Sequence, residues 1–242
     1  MNYLKKILYA HSILIISSLL YSCGTKHSIS DNIIYKDDNF SYNHLMNNGL
    51  IIGGITSQEI NFTNSERSQF NYHLSTIMIK ELKDVHIINT SQLVGKIGKD
   101  NYFSIIKEYD AEQMLSNEDM RVIRESIPEI EYIIFVYIES ENIRNDSYTE
   151  STADSEGKYK TVFKTTYSLA AEFQIYDLSR EQMVWNNVVY NEALKTQDRT
   201  EDNLLGVVVG DVMSDAFVSI DREDVLEEIY EKFAEDLAEI NN

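Results

Sequence analysis

The only thiol in the 242-residue chain is Cys23, in Leu19-Leu20-Tyr21-Ser22-Cys23-Gly24, at the end of an apolar run. A lone cysteine has no intramolecular disulfide partner. Three uses fit it: a thioether to a membrane lipid, an ordinary thiol beside an uncleaved signal anchor, or a thiol in a buried helix of a cytosolic protein. The histidines beyond the first 22 residues are His27, His44, His73 and His86, and no two lie three to five residues apart, so zinc-ligand spacing is absent. No phosphate-binding glycine loop or G-x-S-x-G elbow occurs. Gly53-Gly54 lacks the later glycine of a dinucleotide fingerprint and reads as structural glycine at a strand end. Glu139, Glu141, Asp146, Glu150, Asp154 and Glu156 are dense enough to hold calcium but do not follow a calcium-loop order. A solvated acidic loop over 139–157 is the expectation. No catalytic residue, metal ligand or cofactor-binding residue is nominated, and the chain is read as not an enzyme.

The start of the chain places Cys23 in context. Lys5 and Lys6 lead into a mostly apolar run from Ile7 to Tyr21, interrupted by His11, Ser12, Ser17 and Ser18. That run is shorter than the roughly 20 residues needed to span a bilayer. A charged start, a short apolar core and small residues form the layout of a secretory signal. Leu20-Tyr21-Ser22-Cys23 resembles a bacterial lipobox, although Tyr21 stands where a smaller side chain is preferred. The resemblance implies a signal peptide over 1–22 and a mature protein beginning at a diacylated, palmitate-type Cys23. It also implies a palmitoyl-class anchor in the cell envelope. Gly24, in place of the Asp preferred by inner-membrane lipoproteins of enterobacteria, points to the outer membrane, facing the periplasm.

The net charge is −19. Removing residues 1–22 takes away Lys5 and Lys6 and leaves −21. So acidic a surface argues against nucleic acid, whose phosphates need Lys and Arg, and against peripheral binding to anionic headgroups. With 43% hydrophobic residues and 16 tyrosines, the body folds rather than remaining disordered.

The elements follow from periodicity. Residues 23–47 are polar and aperiodic and read as a tether that reaches at most roughly 80–90 Å; residues 48–242 read as one domain. Gly49 to Ile55 is a candidate first strand. A helix capped at Asn64 or Ser65 follows, with Phe70, Leu74, Ile77, Met78 and Leu82 at helical spacing. Val85–Ile88 reads as a second strand, and Ser91 to Tyr109 is mixed. Ser116 opens a helix that Pro128 ends. Tyr132 to Ile138 is apolar on both alternations, as in a strand buried on both faces. Phe163, Tyr167, Leu169, Ala171, Phe173 and Ile175 alternate with polar residues, and Met183 to Leu194 returns after a turn, giving a long hairpin. Trp185 is expected in the core beside Phe173. Leu204 to Phe217 reads as a short packed helix or loop containing Gly206 and Gly210. From Asp221, Val225, Ile229, Phe233 and Leu237 fall at steps of four, with Glu227, Glu228, Glu231, Glu235 and Asp236 on the outer face. The fold class is α/β: a single domain whose mixed sheet contains a long antiparallel hairpin and carries packed helices.

Ala170 to Leu178, then Met183-Val184-Trp185, resembles a pattern of envelope lipoproteins with a fold like the TolB amino-terminal domain. That group includes curli-secretion lipoproteins and lipoprotein activators of penicillin-binding proteins. Ser179-Arg180-Glu181 stands where that pattern has a turn glycine. The resemblance implies a non-enzymatic, protein-binding adaptor, without cofactor, anchored through Cys23 and engaging an envelope protein, with a monomer favoured. The alternative it carries is a subunit of an oligomeric secretion or pore assembly.

Overall fold

A computed structural model describes residues 25–151, 159–201 and 219–240. Cys23, the signal segment and the Gly206–Gly210 stretch lie outside the described residues. A six-stranded mixed sheet has the order β1-β6-β5-β4-β2-β3. Its strands are β1 (Lys26–Lys36), β2 (Leu50–Thr56), β3 (Ile87–Ile88), β4 (Tyr132–Ser151), β5 (Tyr159–Asp177) and β6 (Gln182–Glu201). Six helices accompany them: α1 (Tyr42–Asn48), α2 (Asn64–Glu81), α3 (Thr90–Ile97), α4 (Lys99–Glu112), α5 (Asn117–Ser126) and α6 (Arg222–Ala238). The α/β class with helices on a mixed sheet is as expected from sequence.

The chain divides into two compact units. The described part of the smaller one contains residues 143–151 of β4, 159–167 of β5 and 193–201 of β6. Thr149 and Thr161 share a hydroxyl hydrogen bond of 3.0 Å across β4 and β5, and Lys160 pairs with Asp198 at 2.7 Å. Phe163 and Tyr167 are buried.

The larger unit holds residues 28–142, 168–192 and 221 onward. β2 runs parallel to both β3 and β4. Tyr132 to Ile138 of β4 is buried throughout, because helices cover both faces of the sheet here. On one face Ile133, Phe135 and Tyr137 join a cluster with Leu93, Ile106, Tyr109 and Ile123 from α3, α4 and α5. Tyr109 and Tyr176 both donate hydrogen bonds to Oε1 of Gln174, whose Nε2 donates to the Gln113 carbonyl. This satisfies a polar side chain that burial would otherwise penalise. On the other face the Phe233 ring of α6 stacks on Phe173 with centroids 3.9 Å apart and packs against Trp185 at 5.3 Å. Phe173 and Trp185 therefore share one core, as the alternation predicts.

β2 accommodates this packing through its glycines. Its register with β4 slips between Ile52 and Gly54, which leaves Gly53 as the bulged residue. A Cβ on Gly53 would lie 2.6 Å from the Phe135 ring, so the bulge has room for hydrogen only. These glycines sit inside the strand rather than at its end.

The β5–β6 turn is organised by Asp177, which is almost fully buried. Its Oδ1 accepts from the Ser179 and Arg180 amides at 2.8 and 2.9 Å, and its Oδ2 from Arg180 Nε at 2.7 Å. Arg180 also pairs with Asp37 at 2.8 Å. Burial alone would raise the Asp177 pKa, but these hydrogen bonds and the guanidinium outweigh it and hold the carboxyl below its ordinary value. Glu181, in the place of the turn glycine, adopts a left-handed φ of 52°.

Four readings are corrected. Residues assigned to a polar tether form β1 and α1; β1 is an edge strand with most side chains exposed, so burial imposes no apolar alternation on it. The acidic loop expected from 139 is strand as far as Ser151, held by neighbouring backbone rather than by apolar side chains. Thr63 caps α2, because Glu66 completes a reciprocal capping box with it. The mixed stretch 91–109 falls within two helices separated at Gly98, whose φ of 85° suits glycine.

Truncating Phe173 or Trp185 to Ala is expected to cost about 3–5 kcal/mol, measured by urea unfolding. Asp177 stabilises the fold above its unfolded pKa of about 3.9, and that contribution disappears as pH falls through the lower folded value. The stability gap between wild type and Asp177→Asn should therefore be full at pH 6 and shrink below about pH 4. A gap independent of pH would show that the charge is not what holds the turn.

Candidate functional site

α2 is seated from behind by α6. Glu223 of α6 accepts from Gln69 at 2.6 Å and pairs with His73 at 3.0 Å, and Lys80 pairs with Glu231 at 3.3 Å. Phe70, Leu74 and Ile77 are buried. The residues of α2 turned from this seam face α3 and α4 across a groove of about 400 Å³. That volume lies within the range of small-ligand sites, and the whole groove belongs to the larger unit.

Three helix starts line it. α2 contributes Asn64, Arg67 and Ser68 near its first turn and Tyr72 and Ile79 beyond. α3 contributes Asn89, Thr90 and Ser91. Asn89 and Gln92 form a reciprocal capping box, and the Thr90 hydroxyl donates to the Ile52 carbonyl at 3.0 Å, which pins this end of α3 to β2. α4 contributes Lys99, Tyr102 and Phe103. The positive ends of helix dipoles thus gather around one cavity.

The charge of the lining is unlike that of the chain. It contains Arg67 and Lys99 and no Asp or Glu, in a protein with 40 acidic residues against 21 basic ones. No carboxylate of the described residues pairs with either cation. Lys99 Nζ instead stands 5.6 Å from the Phe103 ring centroid. The rim is apolar and open: Tyr72 is 69% exposed, Ile79 53% and Phe103 39%.

The floor is polar and closed. Tyr102 and Asn71 are 4% and 5% exposed and neighbour each other, and neither the Tyr102 hydroxyl nor Asn71 Oδ1 makes a hydrogen bond of good geometry among the described residues. Burial pushes the Tyr102 pKa up to about 12, with Arg67 and the neighbouring Asn71 side chain drawing it the other way. Gly54 allows the hydroxyl to lie there, since a Cβ at that position would be 2.8 Å from the oxygen. Leaving such groups unpaired costs about 1–3 kcal/mol each. The arrangement can accept an anion at Arg67 and Lys99 and cover apolar groups at the rim.

The residues singled out from sequence do not assemble with this groove. His44 Nδ1 is hydrogen-bonded to Ser41, and His73 belongs to the α2–α6 seam. In the acidic stretch, Glu141 is held by Arg222 at 2.7 Å and Asp146 by Arg144 at 2.8 Å. Among the described residues no three His, Cys, Asp or Glu side chains cluster as a metal site, and no helix is long and apolar enough to cross a membrane. Sequence reading missed Arg67, Asn71, Tyr72, Lys99, Tyr102 and Phe103. Two signals were available: Lys99 as the first residue of its helix and Arg67 as the fourth of its own, where the dipole disfavours cations.

In sequence, no described protein family and no curated protein matches the chain. In backbone it is similar, distantly, to several solved structures. One is the PelC dodecamer from Paraburkholderia phytofirmans, 11% identical over 88% of this chain and 98% of that one, with a TM-score of 0.36. Another is the LpoB C-terminal domain from Salmonella enterica, 6% identical over 69% and 87%, with a TM-score of 0.32. A third is the lipoprotein GNA1162 from Neisseria meningitidis, 8% identical over 68% and 94%, with a TM-score of 0.30.

Proposed function

We propose that the protein is a non-enzymatic envelope lipoprotein, anchored through Cys23, that binds another envelope protein at the α2–α3–α4 groove. The observation that carries the binding role is the groove rim, where Tyr72, Ile79 and Phe103 expose large apolar surface beside cations without carboxylate partners. Exposed aromatics around a concave polar floor are the composition of a recognition surface. The anchoring role rests on the lipobox-like Leu20-Tyr21-Ser22-Cys23. More than one acyl chain on Cys23 supplies the stable attachment that a single chain does not.

A second reading, a subunit of an oligomeric secretion or pore assembly, is favoured by one feature. The edge strand β1 exposes Ile33, Ile34 and Tyr35, and an uncovered edge is a template for pairing with another chain.

Three measurements test these readings. Cys23→Ala should abolish fatty-acid labelling and release the protein from membranes; labelling that persists in the variant would end the lipoprotein reading. A photo-crosslinking residue at Tyr72 should capture a discrete envelope protein in intact cells, whereas one at Glu227 on α6 should not. Equal capture at both positions would remove the groove from the binding role. Ultracentrifugation of the purified full-length protein in detergent should give a monomer, and a ring-sized oligomer would replace the adaptor with the assembly.

A further inference from the structure

Two cations are held in the groove against local preference. Lys99 opens α4 and Arg67 follows the first turn of α2, at the ends where helices favour acidic residues. Their own helices show that preference in the adjacent Asp100 and Glu66. Glu66 is engaged with Thr63 and Arg222, and no carboxylate of the described residues pairs with Arg67 or Lys99. Elsewhere many cations meet carboxylates, among them Lys80, Lys160, Arg180, Arg222 and Lys232. A departure from local consistency without an internal compensation marks a place where something external is met.

The rim narrows the chemistry. A simple anion would satisfy the cations but would leave the exposed Tyr72, Ile79 and Phe103 uncovered. A peptide segment with an acidic side chain offers both halves: a carboxylate for Arg67 and Lys99, and apolar neighbours for the rim. Arg suits the carboxylate because its planar guanidinium presents paired donors. Tyr72, Ile79 and Phe103 would then cover apolar side chains beside the acidic one. A nucleic acid would meet the strongly negative remainder of the chain, whereas a short segment is confined to the groove.

We propose that the groove recognises an acidic peptide segment of its partner, a carboxylate flanked by aliphatic or aromatic side chains, with Arg67 and Lys99 as the charge-reading residues. This rests on the binding reading of the same groove and adds the chemistry of what enters it.

The test is panning a random twelve-residue phage-displayed library on the purified full-length protein. Retained peptides should be enriched in Asp or Glu next to an aliphatic or aromatic residue. A synthetic copy of a retained peptide should bind at least tenfold more weakly to Arg67→Glu/Lys99→Glu. Replacing its acidic residue by the matching amide should weaken binding to wild type by a similar factor. Both substitutions place acid at a helix start, so thermal unfolding should not worsen. If the double variant does unfold early, Arg67→Gln/Lys99→Gln serves instead. Neutral or basic retained peptides, no retained peptides, or binding indifferent to both variants would overturn the proposal. Failure of the wider reading is distinguishable: crosslinking from Tyr72 that persists while panning yields only neutral peptides leaves the adaptor standing and removes the acidic segment.

Discussion

The larger unit depends on one ring. Phe233 lies between Phe173 and Trp185, and through it the last helix is fastened to the two strands of the hairpin. Stacking at this separation adds to the apolar area that all three bury. Everything nearer the groove follows from it. α6, once seated, presents Glu223 and Glu231 to α2, and α2 held by those contacts turns Arg67 and Tyr72 toward α3 and α4. The groove is thus shaped by a contact on the far side of its own wall. It also needs Gly53 and Gly54 in β2, whose missing side chains admit Phe135 from one direction and the Tyr102 hydroxyl from another.

What sequence made legible was what burial dictates. The alternation of β5, the unbroken apolar run of Tyr132 to Ile138 and the four-residue steps of α6 are imprints of a core, and the structure places each there. What escaped notice is what the core does not discipline. β1 leaves most of its side chains in solvent, and β4 beyond Ile138 is rich in Glu, Asn and Ser; both are strands by backbone pairing, which writes no pattern in side chains. Asp236, assigned by spacing to the outer acidic face of α6, meets Lys232, which also reaches Asp31 of β1. The groove was illegible for a different reason. Its residues come from three helices in ones and twos, and only the fold makes them neighbours.

Charge is distributed with a logic that the net value conceals. A chain at −19 repels itself, and self-repulsion weakens a compact state unless carboxylates find partners. Many do: Asp177 and Asp37 share Arg180, Glu141 and Glu66 share Arg222, and Asp31 and Asp236 share Lys232. Each such cation stands between two acids. Against that economy, two cations left to a cavity without carboxylates stand out more than any motif in the sequence.

β1 has a consequence for where the protein can work. A free tether from Cys23 to residue 47 would let the domain roam through a depth of roughly 80 Å beside the bilayer. With β1 beginning at Lys26, only Gly24 and Thr25 would separate a Cys23 lipidated as proposed from the sheet, a leash of about 10 Å at full stretch. Under that proposal the first rung of the sheet would be moored at the headgroups, and the strand would then carry the chain about 35 Å along its own length before the first helix begins. A protein moored in this way would sample only a thin layer, and a partner would have to come to that layer, either by being embedded in the same membrane or by extending an arm down to it.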